Sequence, residues 1–115
     1  MELEERTAGV VTIVKVTGNI TLNKGGDAML KDKVQSLLQQ GQKNLLVDLA
    51  GVSYVDSAGL GELVQAYATT KNKGGALKLV NVTTRLKDLL VVTKLITVFD
   101  TFDDEASALA SFTDC

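Results

Sequence analysis

Apolar and polar positions along the chain follow two alternating periods. In "GVVTIVKVTG", residues 9–18, Val11, Ile13 and Lys15 alternate with Val10, Thr12, Val14 and Val16. A β-branched run of this kind, bounded by glycines, predicts a strand. The preceding "LEER" is expected as its hairpin partner across an Ala8-Gly9 turn. "NITLNKGG", residues 19–26, predicts a loop that ends in a glycine pair. From Asp27 the period lengthens: Leu30, Val34, Leu37 and Leu38 fall on one face of a helix that stops at Gly41. "NLLVDLA", residues 44–50, is a near-continuous apolar run, as in a central strand covered on both faces.

Helical spacing resumes at Leu60, Leu63, Val64 and Tyr67 and ends near "NKGG", with Gly74 just past the helix end. "ALKLVNV" then sets Leu77 and Leu79 against Ala76, Lys78 and Val80, a further strand. Leu86, Leu89 and Leu90 are in helical phase, a strand is expected near "ITVFDTF", and "DDEASALASF" predicts a short last helix with Asp103 as N-cap. Strands alternating with helices over short connections imply an α/β architecture in a single domain, residues 1–115. The sheet is expected to be mixed, because the first strands can pair antiparallel while the later ones follow helical crossovers.

Composition narrows the function. With 45% apolar and 23% charged residues, the 115-residue chain can bury a core. A net charge of −2 and a pI near 5.0 lack the basic footprint of a nucleic-acid binder. No run of eighteen apolar residues predicts membrane insertion. "MELEERTAG" has no apolar leader core, so a cytoplasmic location is expected. Histidine is absent, which removes Ser-His-Asp and Cys-His nucleophiles and histidine-based zinc sites. The single cysteine, Cys115, stands at the chain end, a poor place for a catalytic thiol. A non-enzyme without metal or cofactor is the expectation.

"VSYVDSAGLGELVQAY", residues 52–67, is the candidate site. With the strand ending near Val55 and the helix starting just after Ser57, Ser57 is the expected N-cap, its hydroxyl accepting from the N–H of Gly59 or Leu60. Gly59 and Gly61 each cost about 1 kcal/mol of helix propensity. Close approach of another backbone would account for them, either from the loop at residues 19–26 or from an outside partner. Ala58 keeps the same low profile. A phosphate on Ser57 would add roughly −1.5 to −2 charge at the positive end of a helix dipole. Asp56 is adjacent and Glu62 one and a half turns on, so the modification would reverse local surface character and act as a binding switch. Beside this stands an ordinary reading, in which a capping serine and turn glycines need no function. A nucleotide cradle at "GLG" would want the glycine spacing of a dinucleotide fingerprint or a GK[ST] ending, and has neither.

The chain resembles the STAS-domain family, in particular bacterial anti-sigma-factor antagonists. The resemblance rests on "VDLAGVSYVDSAGLGELVQAY", "NKGGALKLVNVTTRLKDLLVVTKL" and "TVFDTFDDEASALASF", in that order. It implies a single α/β domain with a mixed four- to five-stranded sheet and about four helices. It also implies a cytoplasmic protein that binds an anti-sigma factor with serine-kinase activity and so frees the sigma factor. Phosphorylation of the motif serine by that kinase ends the binding, and a phosphoserine phosphatase restores it. The acceptor falls on Ser57, within an expected partner surface of Thr21, Asp56, Ser57, Ala58, Gly59, Leu60, Gly61 and Glu62. Two positions depart from the pattern: Ala58 replaces a second hydroxyl residue common after the acceptor, and Thr21 replaces an acid common in the loop after the second strand. The same scaffold also serves as a cytosolic STAS subunit of lipid or anion transport complexes, the alternative.

Overall fold

In a computed structural model that describes residues 2–20 and 29–113, the two sequence periods become a five-stranded sheet with helices on both faces. In chain order the elements are β1 (Glu2–Ala8), β2 (Val11–Ile20), α1 (Met29–Gln39), β3 (Asn44–Val55), α2 (Ser57–Asn72), β4 (Ala76–Val80), α3 (Thr84–Val92), a 3-10 turn (Leu95–Thr97), β5 (Thr101–Phe102) and α4 (Glu105–Thr113). Strand order follows chain order, β1-β2-β3-β4-β5. β1 pairs antiparallel with β2 across a turn in which Gly9 takes φ +64°, and all later pairs are parallel. The mixed sheet and the hairpin are as expected.

This order decides where the helices go. Each parallel crossover steps one strand in the same direction, and right-handed connections then place their helices on one face. Leu30 and Val34 of α1, Leu60 and Leu63 of α2, and Leu86 and Leu90 of α3 share one buried cluster with Val14, Val16, Leu45, Val47, Leu77 and Leu79. α4, which follows the last strand, covers the opposite face, where Ala108 joins Val11, Ile13, Leu46 and Val80. The alternation along β2 and β4 is therefore an alternation between two cores of unequal size.

Polar groups caught in the interior are partnered. Asp48, at the β3 position level with the end of β4, accepts from Ala50 N at 3.0 Å and Asn81 Nδ2 at 3.2 Å. The fully buried Thr12 donates to Gln42 Oε1 at 3.0 Å. Lys78 reaches the end of α4, donating to Ser111 Oγ at 2.9 Å with its ammonium 4.7 Å from the Phe112 ring centre.

Three boundaries differ from the sequence reading. β2 extends through Asn19 and Ile20, which were expected in a loop; Thr21 and the expected helix start at Asp27 lie outside the described residues. Only Thr101 and Phe102 of "ITVFDTF" form a strand, because Lys94 in the left-handed region (φ +64°) turns the chain into a 3-10 turn. The apolar residues that suggested the strand serve a compact turn, with Phe99 buried and Leu95 and Ile96 packed against the main core. Asp104, not Asp103, begins α4: its carboxylate accepts from Ser107 N at 2.7 Å and Ser107 Oγ at 3.2 Å. Asp104 immediately precedes the first helical residue, so its carboxylate spans the three-residue capping interval.

Candidate functional site

β3 is long because β2 supports it through Val55, whereas β4 pairs only with residues 44–48. Its last residues therefore project past β4, with register shifts against β2 between Lys15 and Thr17 and between Gly18 and Asn19. Such irregularities re-aim a strand. Here the projecting end delivers the "DSAGLG" segment to the carboxyl edge of the parallel strands, where α/β folds commonly place their sites.

The cap differs from the sequence reading. Asp56 is extended (φ −96°, ψ −178°), its Oδ1 accepts from Gly59 N at 2.7 Å, and its carbonyl accepts from Leu60 N at 2.8 Å. Asp56 is thus the N-cap and Ser57 the first helical residue. The extended backbone places a carboxylate within reach of the first-turn N–H groups, and an anion there also suits the helix dipole. Ser57 is not needed as a cap. The expected exposure of its hydroxyl and the low profile of Ala58 lie outside the described side chains.

The remaining motif residues separate into inward and outward sets. Gly59 is buried, and Leu60 packs in the main core beside Leu63. Glu62, expected on the partner surface, is only 5% exposed. Its Oε1 accepts from Leu30 N, in the first turn of α1, at 2.9 Å. Leu60 and Glu62, expected on the partner surface, are thus both buried in the free domain, and α1 contacts Glu62. Gly61 behaves differently: a Cβ built on it would meet nothing within 4 Å among the described residues. Of the two explanations for the motif glycines, close approach by another described segment is not seen at Gly61, and most of the loop at residues 19–26 lies outside the described residues.

Sequence reasoning missed the neighbour of this helix start. Tyr54 and Val55, at the end of β3, and Arg85, Asp88, Leu89 and Val92 of α3 line an open groove of about 370 Å³. Val92 is 79% exposed and Tyr54 43% exposed, so the groove presents apolar surface beside Asp56. The available signal was Val91-Val92, which continues the apolar run of α3 beyond its buried Leu86 and Leu90. Among the described residues no three His, Cys, Asp or Glu side chains gather as a metal site. No helix there is long and apolar enough to cross a membrane.

A mixed sheet with three helices on one face, and an aspartate-capped, glycine-bearing helix start at its carboxyl edge, define a small α/β domain. The chain belongs to the STAS-domain family, whose model matches residues 2–108. It is 37% identical over 87 residues to an anti-sigma-B factor antagonist of Bacillus subtilis (strain 168), covering 76% of this chain and 77% of that one. It is also 26% identical over 100 residues to an anti-sigma F factor antagonist of Paenibacillus polymyxa, covering 86% and 84% of the two chains. In fold it is similar to the solved structure of an anti-sigma factor antagonist from Mycobacterium paratuberculosis, with TM-score 0.83 and 20% identity over 98% of this chain and 94% of that one.

Proposed function

We propose that this chain, acting as one domain in the cytoplasm, is an anti-sigma factor antagonist switched by phosphorylation of Ser57. It binds an anti-sigma factor with serine-kinase activity, and the sigma factor is released. Transfer of phosphate from ATP to Ser57 by that kinase ends the binding, and a phosphoserine phosphatase resets it. The chain is a binding module and a kinase substrate and does no catalysis. The observation that carries this reading is the cap: Asp56 holds Gly59 N at 2.7 Å, so the serine at the helix start is not needed as its N-cap. The open space around Gly61, one turn on, and the names of the two curated relatives support it. Those names favour this reading over a transport subunit.

The physics of the switch follows from the position. A phosphate on the first helical residue meets the positive end of the α2 dipole and leaves the helix intact. It also sets roughly −1.5 to −2 charge next to the Asp56 carboxylate. A partner lying across Gly61 and the Tyr54–Val92 groove would have to desolvate that charge. The domain stays folded while the interface fails.

Incubation with each anti-sigma kinase of the same genome and ATP, followed by mass spectrometry, tests this. One phosphate at Ser57 is expected, with none on Ser57→Ala, which still binds the kinase. Undiminished phosphate on Ser57→Ala excludes Ser57 as the acceptor.

A further inference from the structure

Glu62 lies off the apolar stripe that Leu60, Leu63, Val64 and Tyr67 mark on α2, yet it is buried where α1 packs. Leu30 and Val34 of α1, and Leu60, Leu63 and Ala66 of α2, belong to the core cluster beside it. An acid there is costly unless it is hydrogen-bonded. Its partner is specific: Oε1 takes the N–H of Leu30 at 2.9 Å. Leu30 is the second described residue of α1, and Glu62 gives its N–H an acceptor from another helix. Within one and a half turns of α2, two acids thus serve two helices. Asp56 caps its own helix, and Glu62 accepts a backbone N–H of the neighbouring one.

We propose that Glu62 is a positioning residue that locks the start of α1 against the first turns of α2, so that the surface presenting Ser57 is preformed before a partner arrives. An apolar side chain would fill the same space, but it would take this acceptor from Leu30 N and remove a directional tie between the two helices. Packing between aliphatic faces tolerates sliding, whereas one directional hydrogen bond sets a register. Polar groups kept in cores at some cost serve this purpose in other proteins. Glu62 acts without touching the partner. This inference rests on the antagonist reading for its functional half, while the lock itself is a property of the free domain.

The variants Glu62→Leu, which fills the space without an acceptor, and Glu62→Gln, which keeps one, test it. In Glu62→Leu, hydrogen exchange at the Leu30 amide is expected to quicken by about tenfold or more, while the β3 amides keep their protection. The melting temperature should fall by a few degrees at most, because the apolar side chain that fills the space offsets part of the cost of leaving Leu30 N without this acceptor. The kinase's KM for Glu62→Leu should rise about fivefold with kcat unchanged, an increment on the scale of one hydrogen bond. Glu62→Gln should remain within about twofold of the parent in both readouts. Glu62→Ala serves the same comparison if leucine does not fit. Unchanged exchange at Leu30 overturns the lock; faster exchange with an unchanged KM overturns its role in presenting Ser57. Absence of any phosphate on Ser57 in the parent protein instead defeats the antagonist reading, and the exchange measurement still judges the lock.

Discussion

The two ends of α2 both carry glycines, and their surroundings are opposite. At the C-terminal end Gly74 takes φ +79°, a conformation that side chains resist. A Cβ on Gly75 would lie 2.5 Å from Lys43 O and 3.0 Å from Thr70 Cγ2. Gly75 N donates to Thr70 O at 2.9 Å, and Ala76 N donates to Lys43 O at 2.8 Å. The backbone entering β4 is pressed against the backbone entering β3, and only glycine fits. At the N-terminal end Gly61 sits within a regular helix with open space where its side chain would be. One glycine answers to the interior of the domain, and the other has no close neighbour among the described residues. If a partner docks here, as proposed, the open surface at Gly61 is where it would sit.

Substitutions that break this contrast differ in size. Gly75→Ala should have the largest effect, a loss of about 2 kcal/mol from forced backbone displacement. Thermal unfolding checks it, and a midpoint within a degree of the parent would show that the Lys43 crossing yields freely. Asp56→Ala should cost about 1 kcal/mol through loss of the cap, while Asp56→Asn keeps most of it. Equal stability of the alanine variant in urea titration would mean that another group takes over Gly59 N.

Gly61→Ala should move the other way, gaining up to about 1 kcal/mol from helix propensity. The same variant should bind the anti-sigma partner more weakly, which calorimetry measures. A stabilised variant with unchanged affinity would leave the glycine without an external purpose.

The smallest effect is expected at α4. The hydrogen bond from Ser107 N, then that from Ser107 Oγ, hold the Asp104 carboxyl below its ordinary pKa, against a slight opposing effect of burial. Its folded value is therefore lower than its unfolded one. The stability it contributes is present above the unfolded value, near 4, and is lost as pH falls through the folded value. Asp104→Asn should lower stability slightly at neutral pH and match the parent in acid, so that the acid limb below about pH 4 is flatter. An identical acid limb in the variant would show that the group titrates alike in both states.

Much of the fold was legible because periodicity reports burial directly. Leu30, Val34, Leu37 and Leu38 mark one face of α1, and all four are buried. Val11 and Ile13 against Val14 and Val16 gave the two sides of β2, and they enter two separate cores. "ITVFDTF" misled because a compact 3-10 turn that buries Phe99 leaves the same apolar trace over seven residues as a strand. The caps misled for a related reason. Asp56-Ser57 and Asp103-Asp104 each offer two residues able to cap, and the choice depends on which one is extended where the strand or turn releases the chain.

Residue order alone set the alternation of strands and helices, the mixed sheet and the place of the serine motif at a helix start, since these follow from local period and turn chemistry. Which of the motif's side chains face inward was decided only by tertiary packing. α1 lies across α2, and that contact turns Glu62 from an apparent surface acid into a buried acceptor for Leu30 N while leaving Gly61 open. A helical period shows that a face exists; what covers it depends on an element more than twenty residues away.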